Sequence, residues 1–328
     1  MHAPEFWSRR SGVALALAPL GALYGFGARL RQRLARPQAC GLPVICVGNL
    51  TVGGAGKTPT AIALAEMLAE MGAAPHFLTR GYGGRLAGPV RVDPAVHSHV
   101  EVGDEPLLLA EVAPCWVSRD RVAGARAAAA AGAGALVMDD GFQNPHLAKT
   151  LSLVVVDGAT GFGNGLVMPA GPLRERIGDG LARAGALVVV GSATAAVEAT
   201  LDRLAAGLPR FGARFALDAA AAALAGRPVV AFAGLARPEK FFAAVGALGC
   251  RVVEARAFPD HHVYAPADIG RLQATAQAAG AMLVTTAKDH VRLPPAQRAA
   301  VARIDGRMVF DAPQRVRALL ARACGRTP

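Results

Sequence analysis

A glycine-rich segment at residues 48–59, GNLTVGGAGKTP, contains the residue types that bind phosphate. Backbone N–H groups can converge on phosphate oxygens only where the chain bends freely, and glycine permits that bend. In such a loop Lys57 would reach the β and γ phosphates of a nucleotide, and the Thr58 hydroxyl would bind magnesium. A helix that begins here would add its positive N-terminal end. The predicted nucleotide-binding residues of this loop are Gly53, Gly54, Ala55, Gly56, Lys57 and Thr58.

The loop departs from the strict GxxxxGK[ST] pattern, because Thr51 stands at the first glycine position. The consecutive Gly53 and Gly54 would compensate, as in P-loop subclasses with a Gly-Gly-x-Gly-Lys core. A chance glycine turn before a lysine is the alternative. The apolar run before the segment and the helical spacing after it favour a phosphate-binding loop.

An apolar run at residues 136–143, LVMDDGFQ, delivers two adjacent carboxylates. Ligands of parallel sheets bind at the edge formed by the carboxyl ends of the strands. Magnesium takes few carboxylates and completes its shell with phosphate oxygens and water. We therefore expect Asp139 to bind the metal and Asp140 to lie beside the nucleotide. A solvated turn after a strand is the alternative.

Two further segments carry weaker signals, VGDEP at 102–106 and FPDHH at 258–262. Acidic residues are favoured at helix N-termini, so Asp104 and Glu105 fit either a helix start or a catalytic role. No cysteine or suitably spaced carboxylate completes a zinc site with His261. We expect the histidine segment to be a polar loop that enters the active cleft.

The sequence TAKD at 286–289 bears on the choice of nucleotide. Guanine-specific P-loop proteins usually carry Asn-Lys-x-Asp, whereas Lys288 and Asp289 are adjacent here. ATP is therefore the expected phosphate donor.

Alternating apolar and alanine-rich segments from residue 42 onward predict strands and helices in turn. In the first part we expect strands at 43–47, 76–79, 135–138, 151–156 and 187–190 and helices at 58–71 and 122–131. After residue 226 we expect strands at 228–233, 251–255 and 282–285 and helices at 238–248 and 266–279. This pattern predicts an α/β fold: a mostly parallel P-loop-type sheet flanked by helices, with a second, smaller α/β domain.

These patterns divide the chain into four parts. We expect an N-terminal helix in 1–36, a P-loop domain in 37–216, an alanine-rich linker at 217–226 and the smaller domain in 227–328. Hydrophobic residues make up 53% of the 328, which is enough for a sizeable core. Five cysteines without a CxxC pair indicate neither a disulfide framework nor a zinc knuckle.

The net charge of +11 favours an anionic partner, such as nucleic acid, anionic lipid or a phosphorylated substrate. Near the N-terminus, Arg9 and Arg10 precede an uncharged stretch at 11–28 that is followed by further arginines. A twin-arginine signal peptide, a spanning helix and an ordinary buried helix are alternatives. We favour a helix in the membrane interface, because glycines and a proline dilute the stretch and the phosphate loop behind it needs cytosolic nucleotide.

Eight motifs occur in order across nearly the whole chain. They are GNLTVGGAGKTP at 48–59, LTRGYGG at 78–84, VGDEP at 102–106, MDDGFQ at 138–143, FGNGLVMPAGPLRE at 162–175, FAGLARPEKFF at 232–242, FPDHH at 258–262 and TTAKD at 285–289. Each motif is modest alone, but the ordered set is specific. Together they resemble the tetraacyldisaccharide 4'-kinase family of lipid A synthesis.

The resemblance implies ATP and magnesium as cofactors, and transfer of the γ-phosphate to the 4'-hydroxyl of a tetraacylated glucosamine disaccharide 1-phosphate. It also implies attachment to the cytoplasmic face of the inner membrane and an active site in the cleft between two α/β domains. It assigns the catalytic carboxylate to Asp104, with Glu105 beside it at the substrate and the metal, and the partner imidazole to His261. We expect no nucleic acid and no obligate protein partner.

That pairing makes physical sense, because a carboxylate within hydrogen-bond reach can accept the proton of a weakly nucleophilic sugar hydroxyl. Lys57, Asp139 with its magnesium and, less directly, Arg80 would position and neutralise the phosphates. The sequence departs from the family at Asn144, where histidine is usual, and at Thr150, where an acidic residue is usual. We assign no role near Asn144.

Two other functions remain open from the sequence. A regulatory P-loop ATPase that switches protein partners would share Lys57, Thr58 and Asp139 but would not need Asp104 and His261. A nucleic-acid-binding ATPase is suggested by charge alone, without an aromatic stacking platform or a helix-turn-helix pattern.

Overall fold

The short apolar runs of the sequence form buried strands in the computed structural model, which describes residues 4–326. The strands are β1 (Val44–Gly48), β2 (Pro75–Thr79), β3 (Val90–Arg91), β4 (Cys115–Val117), β5 (Ala135–Asp139), β6 (Leu151–Asp157), β7 (Ala186–Val190), β8 (Arg210–Leu217), β9 (Pro228–Ala233), β10 (Arg251–Ala257), β11 (Met282–Thr286), β12 (Ala302–Ile304) and β13 (Gly306–Phe310). Most of the predicted strands lie within one or two residues of these bounds.

Helices follow most of the strands. They are α1 (Gly12–Leu34), α2 (Lys57–Glu70), α3 (His99–Val102), α4 (Asp104–Ala110), α5 (Arg121–Ala130), α6 (Ile177–Leu181), α7 (Ala195–Leu204), α8 (Pro238–Ala247), α9 (Pro266–Ala278), α10 (Ala287–His290), α11 (Pro295–Arg298) and α12 (Pro313–Ala323). Two short 3-10 helices, Glu5–Trp7 and Ala219–Leu224, complete the described elements.

The strands form two sheets. The large sheet has nine strands in the order β13-β8-β7-β6-β1-β5-β2-β4-β3, and the small sheet has four in the order β10-β9-β11-β12. Every neighbouring pair in the small sheet is parallel, and the large sheet is parallel except at its two edges, β3 and β13. The predicted α/β fold with a mostly parallel sheet and a second, smaller α/β unit is confirmed.

Both faces of the large sheet are buried, because apolar side chains alternate between them. Ile45 and Val47 of β1 face a core that includes α2, whereas Val44 and Cys46 face a core that includes α5. A strand buried on both faces reads as a continuous apolar run, which is why the sequence pattern located it.

The C-terminal part of the chain returns to the large sheet. After β12, the strand β13 pairs antiparallel with β8, and Met308 and Phe310 enter the core of the large unit. The last helix, α12, adds Val316 and Leu320 to the same core. The predicted extent of the smaller domain, 227–328, is therefore wrong at its end, because the apolar faces of β13 and α12 are buried on the large sheet.

The predicted linker at 217–226 is also more ordered than a connecting loop. Its alanines form the 3-10 helix Ala219–Leu224, and Ala221 and Leu224 are buried in the core of the small sheet.

Helix α1 rests on the large unit along a narrow line and exposes the rest of its apolar surface. Gly21 and Gly25 meet Val167, and Arg29 donates to Asp179 at 2.7 Å. Within residues 4–326, α1 is the one helix that is long and apolar enough to cross a membrane. The mean hydropathy of its apolar 18-residue segment is 1.5, and only 17% of that segment is buried. Its large exposed apolar residues are Val13, Leu15, Leu20, Leu23, Tyr24, Phe26, Leu30 and Leu34.

We expect Gly48→Ala to destabilise the fold, because a Cβ at Gly48 would lie 2.4 Å from the Cβ of Phe142. Such overpacking typically lowers the free energy of unfolding by about 1–3 kcal/mol, to be measured by urea denaturation. Gly270→Ala in α9 is the matched control, since open space surrounds that position and alanine favours a helix by about 0.5–1 kcal/mol. Equal stability of Gly48→Ala and the unchanged protein would contradict the close approach.

Candidate active site

The phosphate-type loop lies between β1 and α2 and depends on two glycines with left-handed backbone. Gly53 has φ 113° and Gly56 has φ 88°, conformations that residues with a Cβ rarely adopt. Gly56 is the N-cap of α2, so Lys57 and Thr58 occupy the first turn. The positive end of the helix and the basic Lys57 therefore face the same loop.

The loop and the acidic strand end meet at one edge of the large sheet. Because β1 pairs in parallel with β5, Val47 is the register partner of Asp139. The Thr58 hydroxyl donates to Asp139 Oδ2 at 2.9 Å, and Lys57 Nζ lies 3.8 Å from Asp140 Oδ1. The structure thus brings together four of the residues that the sequence proposed for phosphate and metal, namely Lys57, Thr58, Asp139 and Asp140.

A divalent cation fits this position. Asp139 is buried, and its Oδ1 has no hydrogen-bond partner among the described residues. Burial, then the charges of Glu105 and Asp140, raise the pKa of Asp139 to about 7. A buried carboxylate oxygen without a partner, beside a hydroxyl, is the donor set that magnesium uses together with phosphate and water.

Asp140 and Glu105 each have another ionic partner. Asp140 has a left-handed backbone, φ 49°, and accepts hydrogen bonds of 2.9 and 3.1 Å from the two Nη atoms of Arg174. Glu105 Oε1 lies 3.3 Å from Lys288 Nζ. No group of three or more His, Cys, Asp and Glu side chains within residues 4–326 is placed to hold a metal ion.

Asp104 of the large unit and His261 of the small unit are in contact, although they lie 157 residues apart in the chain. His261 Nδ1 lies 3.0 Å from Asp104 Oδ2. Asp104 is the first residue of α4 and is buried, and its Oδ1 accepts from the N–H of Glu105. His261 has a left-handed backbone, φ 58°, in the loop between β10 and α9.

Lys288 and Arg292 complete this network, and the sequence did not single them out for it. Lys288 Nζ lies 3.3 Å from His261 Nε2, and Arg292 Nε lies 3.4 Å from Asp104 Oδ2. Burial alone would raise the pKa of Asp104. The hydrogen bond from His261 and the charges of Lys288, His261 and Arg292 outweigh that effect and hold the pKa well below its ordinary value.

These contacts hold the ring of His261 in place. A carboxylate only accepts hydrogen bonds, so Nδ1 donates to Asp104, while Nε2 lies 3.3 Å from Lys288 Nζ and 3.9 Å from Asp260 Oδ1. The ring is therefore held at both nitrogens. Of Lys288 and Arg292, only Lys288 lies in a sequence motif, TTAKD at 285–289. That motif indicates the family resemblance and the choice of nucleotide, but not a contact with His261.

Arg80 follows β2 at the same edge of the sheet and is exposed. Burial, then the charge of Arg80, lower the pKa of Arg121 to about 10. Asn144 and Thr150 lie away from this chemistry: Asn144 Oδ1 accepts from two N–H groups of a turn, and Thr150 Oγ1 accepts from the N–H of Val44. Both departures from the family pattern are structural.

A parallel sheet whose first strand leads through a glycine loop into a helix, beside an acidic strand end, defines a P-loop protein. A family model matches residues 13–324 of this chain, and its description is tetraacyldisaccharide-1-P 4'-kinase. The chain belongs to this family, and the resemblance seen in its motifs is confirmed.

Curated relatives and a solved structure agree with that assignment. A tetraacyldisaccharide 4'-kinase of Rhodospirillum rubrum is 55% identical and covers 100% of both chains. One of Gluconacetobacter diazotrophicus is 53% identical over 98% of this chain and 97% of its own. The crystal structure of "apo" form LpxK from Aquifex aeolicus in complex with ATP has a TM-score of 0.76 at 26% identity, and covers 95% of this chain and 99% of that one.

We expect Arg292→Met to lower the free energy of unfolding by about 3–5 kcal/mol, since it would leave the buried carboxylates of Asp104 and Asp289 without their cation. Urea denaturation measures the change. Arg271→Met is the control, because the Arg271 side chain is 78% exposed and its pair with Asp268 is worth about 0–1 kcal/mol. Similar losses in the two variants would argue against a buried ionic network.

Proposed function

We propose that this protein transfers the γ-phosphate of ATP to the 4'-hydroxyl of a tetraacylated glucosamine disaccharide 1-phosphate, and that the cleft between its two units is the active site. The observation that carries the proposal is the contact of the buried Asp104 carboxylate with His261. The charge of Glu105 acts on Asp139, so the residue next to Asp104 lies within electrostatic reach of the metal position.

The donor phosphates would lie on the N–H groups of residues 53–58, with Lys57 against the β and γ oxygens. Thr58 and Asp139 would hold magnesium, which supplies positive charge to the phosphate oxygens when it is bound. Glu105 stays a proposed ligand of that ion or of the substrate, and Arg80 and Asp140 stay proposed contacts of the nucleotide site.

The acceptor hydroxyl would donate a hydrogen bond to Asp104. As the sugar oxygen forms its bond to the γ phosphorus, the bond from phosphorus to the ADP oxygen breaks and the hydroxyl proton passes to Asp104. A carboxylate of low pKa suits a late proton transfer, since the transition state of phosphoryl transfer is loose and the hydroxyl becomes acidic as its bond forms. His261, held by Lys288, keeps Asp104 in position.

A regulatory P-loop ATPase is the second candidate. It would use Lys57, Thr58 and Asp139 without an acceptor base. The buried Asp104, held by groups from both units, favours the kinase, because such an arrangement has no task in a switch that only hydrolyses nucleotide.

The substrate is a lipid, and α1 supplies a surface for reaching it. The exposed apolar side chains of α1 would enter the acyl boundary, while Arg31, Arg33 and Arg36 would lie at anionic headgroups. The nucleotide site requires ATP, so we place the protein on the cytoplasmic face of the inner membrane.

We expect purified protein with ATP and magnesium to make the lipid disaccharide 1-phosphate heavier by one phosphate, as read by mass spectrometry. Asp104→Asn should lower kcat by about 10²–10⁴ with little change in the KM for ATP, because it removes the proton acceptor and leaves the phosphate loop intact.

Asp202→Asn on exposed α7 is the control and should leave kcat unchanged. ATP hydrolysis with unchanged lipid would contradict the kinase proposal. Full turnover by Asp104→Asn would contradict only the assignment of Asp104 as the base and would leave the kinase proposal standing.

We expect the double variant Leu23→Glu and Phe26→Glu to bind anionic vesicles at least about tenfold more weakly, since each buried large apolar side chain contributes roughly 1.5–3 kcal/mol. Sedimentation with phosphatidylglycerol vesicles measures the binding. Leu204→Glu on α7 is the control, because it is also exposed but lies outside α1. Equal vesicle binding by all three proteins would refute a membrane role for α1.

A further inference from the structure

An ionic cluster joins the small unit to the phosphate loop on the side away from Asp104. Strand β6 ends at Asp157, and Arg237 is the N-cap of α8. Arg237 Nη2 donates to Asp157 Oδ2 at 2.6 Å and to the carbonyl oxygen of Gly54 at 3.0 Å. Lys240 Nζ lies 3.1 Å from the same Asp157 oxygen. A guanidinium group from the small unit therefore touches the loop itself.

The cluster keeps spare positive charge and spare donors. One carboxylate, Asp157, faces the two cations Arg237 and Lys240. A guanidinium group has five N–H donors, and both contacts of Arg237 use Nη2. Among residues 4–326, Nε and Nη1 of Arg237 have no acceptor, and the side chain is 32% exposed. These N–H groups can bind an anion without breaking either contact.

The contact with Gly54 decides where such an anion would lie. Gly54 belongs to the loop whose N–H groups would hold the phosphates, and its carbonyl oxygen is the acceptor of Arg237. An ion pair that served only to hold the two units together would need the contact of Arg237 with Asp157, but not its contact with the loop.

We propose that Arg237 is a phosphate-contacting residue of the transfer reaction, supplied by the small unit, and that its free N–H groups neutralise charge on the phosphoryl oxygens as the bond to ADP breaks. Asp157 and Lys240 position it. This inference rests on the proposed kinase function. Arg237 donates hydrogen bonds only, so the bonds made and broken are those already described for the transfer.

The test compares Arg237→Ala and Arg237→Lys in the full chain with ATP and lipid in detergent. We expect Arg237→Ala to lose about 10²–10³ in kcat with a much smaller change in the KM for ATP, as when one transition-state donor is removed. Arg237→Lys should recover only part, because lysine lacks the planar set of donors. Guanidinium ion in the assay should restore part of the kcat of Arg237→Ala and none of Asp104→Asn.

A binding measurement separates a phosphate contact from a structural tie. ADP with aluminium fluoride imitates the phosphoryl group in transfer, so its affinity for Arg237→Ala should fall much more than that of ADP alone. Arg256→Ala, which removes an exposed arginine from β10 of the small sheet, is the control of equal charge and should behave like the unchanged protein.

Three results would overturn the inference. They are an unchanged kcat in Arg237→Ala, equal losses of ADP and ADP–aluminium fluoride affinity without guanidinium rescue, and full activity of Arg237→Lys together with failed rescue. Failure of the kinase proposal is distinguishable: the unchanged protein and Arg256→Ala would then leave the lipid unmodified, while fluoride-complex binding still reports on Arg237.

Discussion

The parallel pairing of β1 with β5 is the constraint on which the site depends. The end of β1, which leads into the glycine loop, lies beside the end of β5 at Asp139. The Thr58 hydroxyl can therefore reach the carboxylate of Asp139. A shift of one residue in either strand would move its side chains to the opposite faces of the sheet and so exchange them between the two cores. The burial of β1 on both faces therefore protects the geometry of the phosphate and metal positions.

Opposite charges then connect the two units. The carboxylates belong mostly to the large unit and the cations to the small one, as in the contacts of Asp104 with His261 and Arg292 and of Asp157 with Arg237. Buried and half-buried pairs of this kind fix orientation more than they add stability. The arrangement keeps Asp104 ionised while it remains almost out of water.

The parts of this structure that are local in sequence were predictable. Strands such as β1, β5 and β9 are continuous apolar runs, so the fold class could be predicted from the sequence. The glycine loop has a fixed spacing to Lys57 and Thr58, so the proposed phosphate site could be located along the chain. The roles of Lys288 and Arg292 did not, because each meets partners far away in the chain and carries no local pattern of its own. For a similar reason, the strand β13 was not predicted. It is a short edge strand, and its apolar side chains are buried against β8 and α2, which lie far away in the chain. Asp104 and His261 were paired through the family resemblance, since nothing in their spacing indicates contact.

The return of β13 and α12 to the large sheet has a consequence for how the small unit is held. The small unit is an insertion between β8 and β13, tied by one segment at entry and another at exit, where β12 and β13 are separated by Asp305 alone. A unit with two chain connections can rotate about the axis through them, but it is less free to move away than a unit with one connection. These two connections therefore keep His261 close to Asp104 and raise its effective concentration there.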